Sequence, residues 1–102
     1  MRRDVFQAIS DSTRRDILHL VSKERMNVNA VAEQFDVSRP AISKHLKILQ
    51  ECGLMTFQQE GRERYCKPNL EALIEVSTWT DQFKTFWDNK LDNLENHLKK
   101  SK

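Results

Sequence analysis

The sequence lacks the features that mark several classes of protein. It has no apolar run near the about 18 residues that a membrane span requires, and its N-terminus has no apolar block of the kind found in signal peptides. With only two glycines it also has no glycine-rich phosphate loop. We therefore expect a cytoplasmic protein with no membrane partner.

Cysteine and histidine are scarce as well. Cys52 and Cys66 form no C-x-x-C or four-ligand pattern, and the three histidines are scattered without an acid at catalytic spacing. A structural disulfide is not expected in the reducing cytosol, so both cysteines are interpreted as small buried side chains. The sequence predicts no enzyme, no catalytic residues, no metal site and no cofactor.

The 102 residues, 38% of them hydrophobic and 31% charged, suit one soluble domain spanning residues 1–102. The net charge of +2 says little about a partner, but its distribution says more. Residues 38–68 contain six Lys or Arg residues but only three Asp or Glu residues. A local surplus of this kind is what phosphate binding requires.

Residues 38–51 form the most informative segment. Ser38 is a helix N-cap type, and Ile42, Leu46 and Leu49 recur at helical spacing on one face. The opposite face carries Pro40, Ser43, Lys44 and Lys47. The pattern predicts a helix that a core holds on one side while donors point outward on the other.

A second short amphipathic segment lies just upstream. Ala32 and Phe35 share a face, and we predict that Asn29 caps this helix. Only residues 36–38 separate it from the next segment, which is the length of the turn in a helix-turn-helix. This arrangement predicts DNA binding, with residues 38–51 as the recognition helix.

After Gly53 the apolar pattern changes to period two. Residues 54–67 predict a β-hairpin, with Gly61 as the turn residue and the strand resuming at Arg62. A hairpin that follows a recognition helix is a wing. Arg62 and Arg64 flank its turn, from which a wing reaches the minor groove or nearby phosphates.

The residue types on this surface suggest different contacts with DNA. Arg39, Ser43 and Lys44 lie in the first helical turns, where base contacts occur, whereas Lys47 is interpreted as a phosphate contact. His45 falls near the apolar face, where we expect packing or a local hydrogen bond. The predicted DNA-binding set is Ser38, Arg39, Pro40, Ser43, Lys44, Lys47, Arg62 and Arg64.

Residues 69–99 predict one or two C-terminal helices, with Asn69 as N-cap and a break near residues 78–81. Apolar side chains recur there in steps of three and four: Trp79, Phe83, Phe86, Trp87, Leu91, Leu94 and Leu98. So small a domain cannot bury all of them. A partner surface is expected, most simply the same helix of a second subunit, the alternative being that the helix folds back on its own core.

Several blocks together resemble a known family. They are Ala-Ile-Ser-Asp-Ser-Thr-Arg-Arg-Asp-Ile-Leu at 8–18, Val-Ala-Glu-Gln-Phe at 31–35, and Ser-x-x-Ala-Ile-Ser-Lys-His-Leu-Lys-Ile-Leu at 38–49. Their order resembles that of the ArsR/SmtB winged helix-turn-helix repressors. The resemblance implies a mainly α fold with a small β-hairpin wing, and a cytoplasmic homodimer joined through its first and last helices, Val5 included.

The same resemblance bears on metal sensing. Metal-sensing members often place a Cys-Val-Cys motif before the turn, where this chain has Asn27-Val28-Asn29, and others use two histidines on the last helix, where this chain has His97 alone. The block at residues 86–98 resembles that of the metal-independent, autorepressor-like branch. No effector is apparent in the sequence.

The overall prediction is a homodimeric transcriptional repressor that binds an inverted-repeat operator. Two alternatives stay open. One is a protein-interaction module that uses the aromatic C-terminal helix, and the other is a repressor that senses oxidants through Cys52 and Cys66.

Overall fold

The N-terminal part of the protein consists of two helices that begin at aspartates. The structure, a computed structural model, describes residues 3–100 and the side chains of residues 3–98, so the outermost ends of the predicted domain lie outside the described residues. Helix α1 spans Val5–Ala8 and helix α2 spans Ser12–Lys23. Asp4 and Asp11 accept hydrogen bonds from backbone N–H groups in the first turn of each helix.

Helix α3 spans Val28–Glu33 and begins one residue before the predicted cap, Asn29. The Asn27 side chain, rather than that of Asn29, accepts the capping hydrogen bond from Ala30 N, at 2.7 Å. The physical reason is burial: Val28 is a core side chain, and it reaches the core from the first helical position. The prediction of Asn29 as the cap was therefore wrong.

Helix α4 spans Arg39–Glu51, in agreement with the predicted segment 38–51. Ser38 Oγ accepts a hydrogen bond from Ala41 N at 3.2 Å, as an N-cap does. At the other end Gly53 has a φ of +82°, and Leu54 N donates to Leu49 O at 3.0 Å. This left-handed glycine ends the helix and turns the chain toward the hairpin.

The hairpin consists of strand β1 at Met55–Glu60 and strand β2 at Glu63–Pro68, paired antiparallel. Gly61, with a φ of +61°, and Arg62 form a two-residue turn between the paired residues Glu60 and Glu63. The predicted wing at residues 54–67 is present. Arg62 lies in the turn and not in the returning strand, because a two-residue turn needs both positions.

The C-terminal part contains a 3-10 helix at Leu70–Leu73, helix α5 at Ile74–Asp81 and helix α6 at Lys84–Lys100. The break follows α5, just beyond the predicted residues 78–81. Asn69 occupies the predicted N-cap position, but its side chain makes no capping hydrogen bond and donates to Gly53 O at 3.1 Å instead. In the described part of the chain, no helix combines the length and apolar character needed to cross a membrane.

One hydrophobic core joins helices α1 to α4 to the base of the hairpin. Its largest fully buried side chains are Ile17, Val31, Ile42, Leu49, Leu54 and Met55. Both cysteines are free and buried in this core, as the sequence predicted. Since α4 contributes its apolar face, its opposite face is left in solvent.

Candidate nucleic-acid interface

Helix α4 and the hairpin enclose an open groove of about 400 Å³. Five of the eight predicted DNA contacts line this groove: Arg39, Ser43, Lys47, Arg62 and Arg64. The other three, Ser38, Pro40 and Lys44, are exposed on α4 or at its start but do not line the groove. The groove thus combines the helix and the wing in one surface.

This surface is strongly cationic. Four lining residues carry a positive charge and one, Glu63, carries a negative charge. Within residues 3–98, no ion pair or side-chain hydrogen bond engages Lys44, Lys47 or Arg62. Their charges are available to an anionic ligand such as a phosphate backbone.

Two of the groove arginines are held in place by neighbours. Arg39 Nη1 donates to Asn29 Oδ1 at 2.5 Å, and the Arg64 guanidinium lies over the Phe57 ring, 4.0 Å from its centroid. A cation over an aromatic face is attracted by the ring quadrupole. Both guanidinium groups therefore have a restricted orientation while they remain exposed.

The wing is tied to the loop before α3. Arg25 forms an ion pair with Glu60 and stacks over the Tyr65 ring at 3.7 Å, and the hydrogen bond that Arg25 donates to Glu60 raises the pKa of Arg25. Cys66 N donates to Met26 O at 2.9 Å. These contacts join segments far apart in the chain, and no sequence pattern indicated them.

A buried arginine of α2 also contacts α4, on the side that faces the core. Arg14 is 9% exposed, and its Nη1 lies 3.3 Å from Nδ1 of His45. Because a guanidinium only donates, Nδ1 of His45 accepts this hydrogen bond. His45 thus makes the local contact that was predicted for it, whereas the role of Arg14 was not foreseen.

Asp11 lies beside this pair, with its Oδ2 3.9 Å from His45 Nδ1. Partial burial works against its charged form, but the hydrogen bonds from the backbone N–H groups of Arg14 and Thr13 and the nearby charge of Arg14 outweigh burial and lower the pKa of Asp11. The carboxylate is therefore held ionised at the start of α2, where it caps the helix.

The two thiols are held in their protonated form. Burial raises the pKa of Cys52, and it raises the pKa of Cys66 to about 11. A reactive cysteine needs the opposite shift, because the thiolate is the nucleophile and the metal ligand. Among the described residues, no group of three or more His, Cys, Asp and Glu is arranged to hold a metal ion.

A separate apolar surface runs along α5 and α6, where every residue from 77 to 98 is exposed. Its large side chains are those predicted from the sequence: Trp79, Phe83, Phe86, Trp87, Leu91, Leu94 and Leu98. Trp79 packs edge-on against Phe6 of α1, with ring centroids 5.9 Å apart. Val5 lies in the protomer's own core at 4% exposed, so its side chain offers almost no area to a partner.

A short helix, a turn, a capped helix with a cationic outer face, and a hairpin beside it define a winged helix-turn-helix protein that binds DNA. Residues 11–56 match the family described as bacterial regulatory protein, arsR family. The chain is 38% identical over 88 residues to the transcriptional repressor SdpR of Bacillus subtilis (strain 168). The aligned residues cover 86% of this chain and 98% of SdpR.

Solved structures agree with this match. An ArsR family transcriptional regulator superposes with a TM-score of 0.72 at 31% identity, over 81% of this chain and 91% of that chain. The ArsR-like transcriptional regulator from Rhodococcus sp. RHA1 superposes with a TM-score of 0.68 at 33% identity, over 90% and 87%.

The chain therefore belongs to the ArsR family, and it is a DNA-binding transcriptional regulator. The family and the fold class predicted from the sequence are confirmed. The interpretation as a regulator rather than an enzyme is also confirmed, since its relatives are regulators.

Proposed function

We propose that this protein is a homodimeric repressor that acts in the cytoplasm and binds an inverted-repeat operator. The observation that carries the proposal is the cationic groove between α4 and the wing, which brings five predicted contacts into one surface. In this proposal α4 is the recognition helix and enters the major groove, while the wing approaches the adjacent minor groove or its phosphates.

The residues on this surface take different roles. Arg39 and Ser43 lie in the first two turns of α4 and face base edges, where arginine donates to guanine and serine bonds to several bases. Lys47, one turn further along, contacts phosphate, as do Arg62 and Arg64 on the wing. Ser38, Pro40 and Lys44 lie at the edge of the contact surface.

The apolar surface of α5 and α6 supports the dimer. Trp87 is 60% exposed and Leu91 63% exposed, and side chains of this size on a DNA-binding protein call for a partner. A second copy supplies the matching surface by two-fold symmetry. It also supplies the second recognition helix, which an inverted-repeat site requires about 34 Å away.

Repression is supported by the relatives, since SdpR is named a transcriptional repressor and spans nearly the same length of chain. A dimer seated on an operator occupies DNA that another protein would need. The raised thiol pKa values support a protein of the metal-independent branch that does not sense oxidants.

The proposal is tested by binding the purified protein to promoter fragments that contain palindromes, over a range of salt concentrations. We expect tight binding to one such fragment, weaker binding to its scrambled version, and strong dependence on salt. Equal affinity for both fragments, or affinity that does not change with salt, would contradict the proposal.

A further inference from the structure

Asn29 lies in the first turn of α3, and its side chain contacts helix α4 directly. It lines the groove from α3, and its Oδ1 accepts a hydrogen bond from Arg39 Nη1 at 2.5 Å. The position of Asn29 is itself fixed by Asn27, which caps α3 through Oδ1 and donates from Nδ2 to Glu63 of the wing at 2.9 Å.

The hydrogen bond to Asn29 constrains Arg39, which has the longer and more flexible side chain of the two proposed base contacts. An arginine side chain has many rotamers, and it loses their entropy when it is fixed on a ligand. The guanidinium carries five N–H donors in a rigid plane, so a partner on one of them orients the others. Arg39 is exposed, and among the described residues Asn29 is its one side-chain hydrogen-bond partner.

The chemistry of the partner also matters. An aspartate at this position would hold the guanidinium more strongly, but it would place a negative charge in a groove where four cations already share space with Glu63. The neutral amide oxygen of Asn29 orients the arginine and leaves its charge uncompensated. That combination suits a side chain that must bind anionic DNA in one orientation.

We propose that Asn29 is a positioning residue for sequence readout: it orients the Arg39 guanidinium before DNA arrives. This rests on the proposed base contact of Arg39. Asn29 acts through Arg39, so its removal costs affinity only while Arg39 is present. Preorganising one such side chain changes affinity by about threefold to tenfold.

The test is a double-mutant cycle with Asn29→Ala, Arg39→Ala and the double variant. The probes are a duplex selected from random DNA by the parent protein, and a scrambled duplex of the same composition. Asn29→Ala should weaken binding to the selected duplex by about threefold to tenfold and leave the scrambled duplex within about twofold. In the Arg39→Ala background the same substitution should change neither affinity.

Gln50→Ala is the matched control, because Gln50 lines the same groove and has no side-chain hydrogen bond among the described residues. Its effect should be the same with or without Arg39. Asn29→Asp separates orientation from charge: it keeps the acceptor, so it should preserve the ratio of the two affinities while it weakens both.

The outcomes distinguish this proposal from the proposed function. An equal loss from Asn29→Ala with and without Arg39 would overturn the positioning role, even if the parent binds its operator as expected. Thermal unfolding of each variant is measured in parallel, and a loss of affinity that tracks a loss of folded protein would overturn it too. A parent protein without preference for any duplex would instead refute the operator proposal itself.

Discussion

Arg14 of α2 places a guanidinium nitrogen 3.3 Å from Nδ1 of His45 on α4. The same side chain donates to Ala8 O at 2.8 Å and to Gln7 O at 3.1 Å, at the end of α1. One buried cation thus joins three helices, and it does so entirely through neutral acceptors. Arg14 therefore links α4 to the end of α1.

Replacing this arginine should destabilise the fold. Arg14→Ala removes the side-chain donor to Ala8 O and to the His45 ring nitrogen, and one of several donors to Gln7 O. We expect the free energy of unfolding to fall by at least about 2 kcal/mol in urea titrations. Arg14→Lys should recover only part of the loss, because an ammonium lacks the planar fork. A parent-like unfolding midpoint for Arg14→Ala would show that these hydrogen bonds add nothing.

The salt dependence of binding should report the number of phosphate contacts. Arg39, Lys44, Lys47, Arg62 and Arg64 occur twice in a dimer, so log K for operator DNA should fall with log salt at a slope of about −5 to −9. Filter binding or fluorescence anisotropy at several salt concentrations gives this slope. A slope near zero would exclude DNA binding through this groove.

Base and backbone contacts should respond differently to substitution. Arg39→Ala or Ser43→Ala should cost about 1 to 3 kcal/mol on the operator and relax preference at particular base pairs. Lys47→Ala should weaken all sequences about equally. Competition with single-base-pair variants of the operator measures the difference, and a uniform loss for all three variants would contradict the assignment of readout to Arg39 and Ser43.

Dimerisation should depend on the C-terminal apolar surface. Trp87→Ala or Leu91→Asp should weaken the dimer by at least about 2 kcal/mol and abolish tight operator binding. Both side chains are exposed in the protomer, so its core should stay folded. Sedimentation should give about twice 12.1 kDa for the parent. A monomeric parent that binds its operator tightly would refute the dimer.

The cysteines should be inert under native conditions. Because the Cys66 pKa is raised to about 11 in the folded protein, its thiol stays protonated at pH 8 and should alkylate far faster in urea. This raised pKa stabilises the fold below the ordinary thiol pKa of about 8.5, and that stability is lost as pH rises toward 11.

Zinc, a chelator or mild peroxide should consequently leave operator affinity unchanged, and Cys52→Ser and Cys66→Ser should bind like the parent. Anisotropy titrations before and after each treatment provide the measurement. A tenfold loss on oxidation that either substitution abolishes would establish the redox-sensing alternative.

Periodicity made α4 and the wing predictable. Ile42, Leu46 and Leu49 recur at helical spacing, and the change to period two after Gly53 marked the hairpin. The start of α3 was not predictable in the same way. Asn27 and Asn29 are both good cap residues two positions apart, and only the burial of Val28 decides between them.

The hydrogen bonds and ion pairs that hold the wing beside the groove could not be predicted from local sequence patterns. Asn27 meets Glu63, and Arg25 meets Glu60, across more than thirty residues of chain. Such pairs depend on how the wing folds back over α3. The sequence therefore predicted five residues that line the groove but not the contacts that hold the groove together, and Asn29 and Arg14 were missed for that reason.

In the proposed dimer, the exposed surface at residues 77–98 also decides how the regulator would respond to its own abundance. For a dimer built through this helix, the amount of DNA-competent protein rises with the square of the chain concentration while protomers are in excess. Halving the number of chains in a cell then reduces the active form about fourfold. In the proposed dimer, operator occupancy would then change more steeply than the number of chains.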